Sequence, residues 1–323
     1  MYLAPDGDEV EIADAAGTFL ADAMPIDRLH SPGSADTTAT VRRLFGDMGW
    51  FALAVPECEG GSGLSAVEHA LFFREVGRQC GPVDVLAQCL AANAAIDGGL
   101  RGEIIAGRRG VALLVADGEA HRLIGSADSD LGLSVELGCA RLFSLAAVPA
   151  APRPSLDPAN SLRIVETLPA PLESIDSERT WQLGQLGAAA MLVGIAEAAL
   201  DLIVDYAKIR ETFGRKIGSW QAVRHPCADM AVRLEAARSQ LWYAAAAVKE
   251  RRVDAAVHLD VAKHMANVAA LANTDANIQL HGGIGVTDEH NAHLLMKHAL
   301  LLSRLFGAKR MLLGRLLDAR VED

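Results

Sequence analysis

The chain has 323 residues, 51% of them hydrophobic and 22% charged, which is enough apolar material for a sizeable core and excludes a polar, unstructured chain. A formal net charge of -11 argues against non-specific nucleic-acid binding. The 5 cysteines are scattered without a CxxC pair or zinc spacing, and the opening MYLAPDGDEVEIADAA has neither a basic region nor an apolar run, so a cytoplasmic protein with reduced thiols and no membrane association is expected.

Aromatic residues are only 5%, so Ala, Leu and Val must fill the core, a composition that favours closely packed helices. Residues 1–109 read as a helical domain. In Thr38–Trp50 the apolar Val41, Leu44, Phe45 and Met48 recur at helical spacing, with Arg42, Arg43 and Asp47 on the other side, and Gly49 ends the run. A Pro- and Gly-rich loop, Val55–Gly63, follows. Ser65 with Glu68 three residues later makes a capping box for a helix that stops at Gly81-Pro82. Residues 110–174 carry short apolar runs, VALLVA, LGLSVEL, RLFSLAAV and SLRIVETL, separated by turn residues, and predict a small β-domain. Pro149, Pro152, Pro154 and Pro158 mark a loop or sheet edge within it. Residues 175–323 predict a helical bundle, with segments near Gln182–Arg210, Ser219–Arg251, Val253–Leu280 and Ala292–Leu317. Pro226 must fall in the first turns of the second segment or kink it. The Ala-rich stretches read as interrupted by charges before they reach the length of a membrane span.

Two breaks between these helices carry chemistry. In the first, Arg210-Glu211-Thr212-Phe213-Gly214-Arg215-Lys216-Ile217 precedes Trp220-Gln221. Arg210 and Arg215 can bond a phosphate, Phe213 offers a flat apolar face, and Gln221 can donate and accept toward a heterocycle. An ordinary turn whose arginines pair with carboxylates explains the same residues. In the second, Gln279-Leu280-His281-Gly282-Gly283-Ile284-Gly285 exposes backbone N–H groups to close approach, or is a plain helix cap.

The order and separation of the two breaks resemble the C-terminal helical domain of the acyl-CoA dehydrogenases, where an R-x-x-F-G turn and a Q-x-x-G-G-x-G turn face the FAD of a neighbouring subunit. LEAARSQLWYAAAAV resembles that family's bundle helix, and MGWFALAVPECEGGSGLSAVEHALFFREVGRQCGPV resembles its helical first domain. The resemblance implies a mostly α fold with a reduced β middle domain and a C-terminal four-helix bundle. It implies that Arg210 binds the FAD pyrophosphate and that Phe213 and Gln221 line the adenosine half. Gln279, Gly282 and Gly283 approach the same half from the second turn, and Thr212, Ile217 and Trp220 flank it.

The family's reaction removes an α-proton from an acyl-CoA while a hydride leaves the β-carbon for the flavin, so it needs a carboxylate base. The usual base position falls here on Phe306, and the alternative position on Gly184. Neither accepts a proton. Glu178 is the nearby carboxylate, and a solvated residue ahead of a helix accounts for it. The family's T-E-P-x-x-G-S-D and W-I-T/S-N segments are missing, with Ser126-Ala127-Asp128 as a remnant or a polar turn. The resemblance therefore implies the short, base-less subunit of an α2β2 enzyme, similar to those of actinobacterial steroid side-chain degradation. Its partners would be a full-length homologue sharing the FAD, a bulky acyl-CoA substrate and an electron-transfer protein. A non-redox scaffold or acyl-binding protein on the same fold, and a stand-alone flavoenzyme with a relocated base, are the competing readings.

Overall fold

The computed structural model describes residues 5–31 and 38–319; the first residues of the N-terminal stretch read above lie outside them. Along the chain run α1 (Gly7–Ala23), α2 (Ala39–Asp47), α3 (Ala66–Arg78), α4 (Val83–Ala94) and α5 (Gly98–Ile105). Then come β1 (Val111–Asp117), β2 (Ala120–Ile124), β3 (Leu131–Glu136), β4 (Cys139–Ser144), β5 (Ala151–Arg153), β6 (Leu162–Val165) and β7 (Glu173–Asp176). The remainder is α6 (Glu178–Ile209), β8 (Glu211–Thr212), β9 (Arg215–Lys216), α7 (Gln221–Lys249), α8 (Ala255–His281), α9 (Ala292–Leu302) and α10 (Lys309–Asp318). The fold is mostly helical, with a helical N-terminal region, a central sheet and a C-terminal helical region, as the sequence predicts.

The chain divides into two compact units. One holds Ser31–His69 and Gly81–Gly184. Its sheet has strand order β5-β6-β2-β1-β3-β4-β7. Only β1 and β3 pair in parallel; the other neighbours are antiparallel. Ala112, Leu114, Leu123, Phe143 and Val165 form a core cluster on it. Gln88 on α4 ties the sheet to its helices: its Oε1 accepts from Val111 N–H at 3.0 Å and its Nε2 donates to Ile104 O and Arg109 O, both at 2.7 Å. The sheet is larger than the four apolar runs predict, because β2 and β7 lie in segments read as turns or loops, and the Pro-rich segment read as a loop or a sheet edge supplies β5. β5 is an edge strand containing Pro152, the position where a missing N–H is tolerated.

In the same unit Thr38 caps α2, its Oγ1 accepting from Val41 N–H. The buried face of α2 differs from the expected one. Arg42 is buried with Phe45, whereas Leu44 and Met48 are exposed. The cause is non-local: Arg42 Nε donates to Gly107 O at 3.1 Å and its Nη1 pairs with Asp128 at 3.1 Å, which turns the helix about its axis. The cap predicted at α3 forms in part as a capping box, with Ser65 N–H donating to Glu68 Oε2 at 2.8 Å, while Ser65 Oγ accepts from Val67 N–H at 3.1 Å.

The other unit holds Met1–His30, Ala70–Cys80 and Gln185–Asp323. Asp6 and Glu9 form a reciprocal capping box at the start of α1. The part of α3 from Ala70 onward crosses α6 at a pair of glycines. A Cβ on Gly77 would lie 2.0 Å from Met191 O, and one on Gly194 would lie 2.0 Å from Arg74 O, so the two backbones touch. Arg78 pairs with Glu197 at 3.2 Å and Asp201 at 2.9 Å along the same crossing. Pro226 lies inside α7, in its second turn. The fourth predicted segment is two helices, α9 and α10, broken where Phe306 (φ 51°) and Gly307 (φ 120°) take left-handed backbone conformations. Among the described residues α6 alone is long and apolar enough to cross a bilayer, because its charges lie nearer its ends than the sequence reading allows. Of its apolar window 67% is buried inside the protein, as in a core helix.

Candidate functional site

Arg210 closes α6, its N–H donating to Tyr206 O at 2.9 Å. The chain then reverses in a hairpin in which Glu211 pairs with Lys216 and Thr212 with Arg215. Ile217 N–H returns to Arg210 O at 2.9 Å, and the buried Ile217 side chain seats the hairpin. Both turn residues have positive φ, Phe213 at 51° and Gly214 at 73°. A two-residue turn of this kind suits hairpin twist and normally takes Asn, Asp or Gly at its first position. A phenylalanine there costs about 1–3 kcal/mol of backbone strain.

The side chains around the turn are turned outward. Phe213 is 93% exposed. Arg210 is exposed, and among the described residues no carboxylate lies within ion-pair distance of it or of Arg215. Arg215 instead sits over the Trp220 ring, 5.7 Å from its centroid. Lys216 is the cation that pairs, with Glu211 at 2.7 Å, and that bond lowers the Glu211 carboxyl below its usual range. Gln221 is the exposed first residue of α7, whose cap residue Trp220 makes no side-chain capping bond. The ordinary-turn reading requires arginines neutralised by carboxylates, and here they are not.

The second turn leaves the end of α8. Gly282 (φ 67°) donates its N–H to Gln279 O, and nothing lies within 4 Å of a Cβ built on Gly282 or Gly283, so this backbone faces open space. Gly285 is the structural glycine of the three; a Cβ there would meet Ile278 O at 2.9 Å. Gln279 is exposed.

The two turns spring from adjoining helix ends. The Tyr206 ring, one turn before Arg210, packs on the His281 ring, which immediately precedes Gly282, at 4.6 Å between centroids. His281 Nδ1 lies 2.8 Å from Asn277 O and its ring also meets that of His290, 4.4 Å between centroids, and burial holds the ring's pKa below the usual histidine value. Tyr206, and its contact with His281, are what the sequence reading missed. His281 was read only as part of the Gly-rich turn, and one Tyr near a helix end forms no motif, so no sequence signal joined the two.

The chemistry of this donor set fits a dinucleotide. Two guanidinium groups without carboxylate partners suit a pyrophosphate. An exposed strained ring and an open glycine backbone suit a flat heterocycle at close range. Both turns belong to one unit.

The positions considered for a base are placed as follows. Phe306 is buried between α9 and α10. Asn267 Nδ2 reaches Gly307 O at 3.5 Å, and the fully buried Lys263 donates to Asn267 Oδ1 at 2.7 Å and to Leu302 O at 3.1 Å. Burial lowers the Lys263 pKa to about 7. Nearby in the same unit Asp260 is held by Gln185 and by Arg315, each at 2.8 Å. In the other unit Gly184 is buried within α6, and Glu178 is exposed at its first position, where the helix dipole favours a carboxylate. Ser126-Ala127-Asp128 is a tied polar turn: Ser126 Oγ donates to Asp128, Asp84 Oδ2 accepts from Ser126 N–H, and Arg163 donates to Ser126 O and Ala127 O.

Comparison with known proteins identifies the family. Residues 6–98 match the acyl-CoA dehydrogenase N-terminal domain and residues 177–319 the acyl-CoA dehydrogenase C-terminal domain. Acyl-CoA dehydrogenase IpdE2 of Mycobacterium tuberculosis is 32% identical, over 85% of this chain and 84% of its own length. Acyl-CoA dehydrogenase FadE34 of the same organism is 33% identical over 83% of this chain, and this chain spans only 40% of that protein's length. Among solved structures, a variant of the Tcur3481–Tcur3483 steroid ACAD superposes with a TM-score of 0.81 at 25% identity, covering 96% of this chain and 97% of the other. The paired turns, the three-part architecture and these relatives together establish that the chain belongs to the acyl-CoA dehydrogenase family, whose cofactor is FAD.

Proposed function

We propose that this chain is one subunit of a heteromeric acyl-CoA dehydrogenase that acts on a bulky, steroid-derived acyl-CoA in the cytoplasm. In this reading a full-length homologue holds the flavin ring and supplies the base, in an α2β2 assembly that passes its electrons to an electron-transfer protein. This chain lends the grip on the nucleotide end. Arg210 neutralises the pyrophosphate, and Phe213 and Gln221 line the adenosine half from the hairpin. Gln279, Gly282 and Gly283 approach it from the second turn. Thr212, Ile217 and Trp220 hold the hairpin around it. A bound flavin supplies the acceptor for the hydride that leaves the β-carbon.

The observation that carries the reading is the exposed, carboxylate-free Arg210 beside a strained and solvent-facing Phe213. It is set against a phenylalanine at the family's base position. Support for the steroid substrate and for two unlike chains comes from the Tcur3481–Tcur3483 steroid ACAD. The 5 free thiols suit a reducing compartment.

The test is a visible spectrum. The chain purified alone is expected to carry no stoichiometric FAD, and co-expression with a full-length homologue is expected to give a yellow complex. Arg210→Ala in that complex should weaken FAD retention by about tenfold or more, the loss of a charge-assisted phosphate contact. An isolated chain that retains a full complement of FAD and oxidises an acyl-CoA overturns the proposal.

A further inference from the structure

A depression of about 430 Å³ lies between the last turns of α6, strand β9 and the first turns of α7. We propose that it is a second binding site, for a small aliphatic carboxylate, and this inference stands apart from the flavin reading. Its volume lies in the range of small-molecule sites. Val204, Ala207 and Val223 supply aliphatic surface, and no aromatic side chain lines it, so it offers a nucleobase nothing to stack on.

The charges decide the ligand class. Three cations line the depression, Lys208, Lys216 and Arg224. Lys208 is paired with Asp205 at 2.9 Å and Lys216 with Glu211 at 2.7 Å. Among the described residues Arg224 has no carboxylate within ion-pair distance, and its side chain is exposed. One uncommitted guanidinium above an aliphatic floor matches one carboxylate on an aliphatic body, since the fork of the guanidinium meets both carboxylate oxygens. A phosphate dianion would need a second free cation. Gly218 lines the depression where this segment lies close against α6: a Cβ there would stand 3.0 Å from Ala207 O, a tight contact.

Cys227, one turn beyond Arg224, lines the same depression and reports on it. The full chain is treated with N-ethylmaleimide, and the alkylation rate of each cysteine is read by peptide mass spectrometry. The exposed Cys58 serves as the internal control. Cyclohexanecarboxylate at about ten times its Kd should slow alkylation of Cys227 about tenfold and leave Cys58 unchanged. The neutral isostere cyclohexanecarboxamide should give no protection. Arg224→Gln should abolish the protection and Arg224→Lys should keep part of it, with the buried Cys80 and Cys89 staying unalkylated to confirm that both variants are folded. Equal protection by the carboxamide, protection by AMP but not by the carboxylate, or no protection at millimolar ligand would each overturn the proposal.

Discussion

Phe213 is a bulky side chain in a left-handed backbone conformation, and nothing in its own unit covers its ring. Replacing it by glycine removes the strain and the ring together, and the two effects separate by measurement. Phe213→Gly should raise the denaturation midpoint of the isolated chain, by up to about 1 kcal/mol of stability. The same change should weaken flavin retention in the assembled complex. A variant that is more stable and holds flavin as well as the parent would deny the ring a binding role. At the opposite extreme of burial stands His69, whose Nε2 lies 3.0 Å from Leu183 O. Burial lowers its pKa to about 4, so the neutral ring is the folded form. Its contribution to stability is complete above the unfolded value near 6.5 and declines as pH falls toward 4. Between pH 7 and pH 4.5 that decline amounts to about 2–3 kcal/mol. Denaturant titrations of parent and His69→Gln should therefore show a stability gap that narrows on acidification. A gap independent of pH would exclude His69 as the titrating group.

The helix crossing at Gly77 and Gly194 places two backbones in contact. Gly194→Ala must push α6 away from the Ala70–Cys80 segment, and its cost is expected to exceed the usual 1–3 kcal/mol of overpacking. Chemical denaturation measures this directly, and a neutral outcome would mean that the crossing relaxes freely. The elements also show what a sequence can and cannot declare. The capping box of Ser65 and Glu68 and the ends of the long helices are local, written within three or four residues, and they were legible. The buried face of α2 was not, because it depends on Arg42 reaching Gly107 and Asp128, far along the chain. Strand β2 was hidden inside AHRLI, where His121 and Arg122 break the apolar alternation, and the pairing that makes it a strand comes from β1 and β6. The break between α9 and α10 hinges on a phenylalanine with positive φ, which no propensity foretells. The hairpin residues were legible as a motif, whereas the contact that joins the two turns was not, since Tyr206 and His281 are far apart in the chain.

For the whole molecule the decisive quantity is stoichiometry. Native mass spectrometry of the co-expressed complex should give one flavin for each copy of this chain, and dilution until the partner dissociates should release the flavin with it. A complex that keeps its flavin after losing this chain would leave the lending role without purpose. The contact between Tyr206 and His281 bears on how the two turns would act together in the proposed complex. Because the amide of Arg210 hangs from the Tyr206 carbonyl and Gly282 follows His281 directly, the two loops are laid out like the jaws of one pair of tongs, joined where these two tilted rings meet. Displacement of one jaw is expected to be felt by the other. A fluorophore attached at Gln279 should therefore register any displacement of the hairpin, and Tyr206→Ala should uncouple them while every side chain proposed to face the nucleotide stays in place.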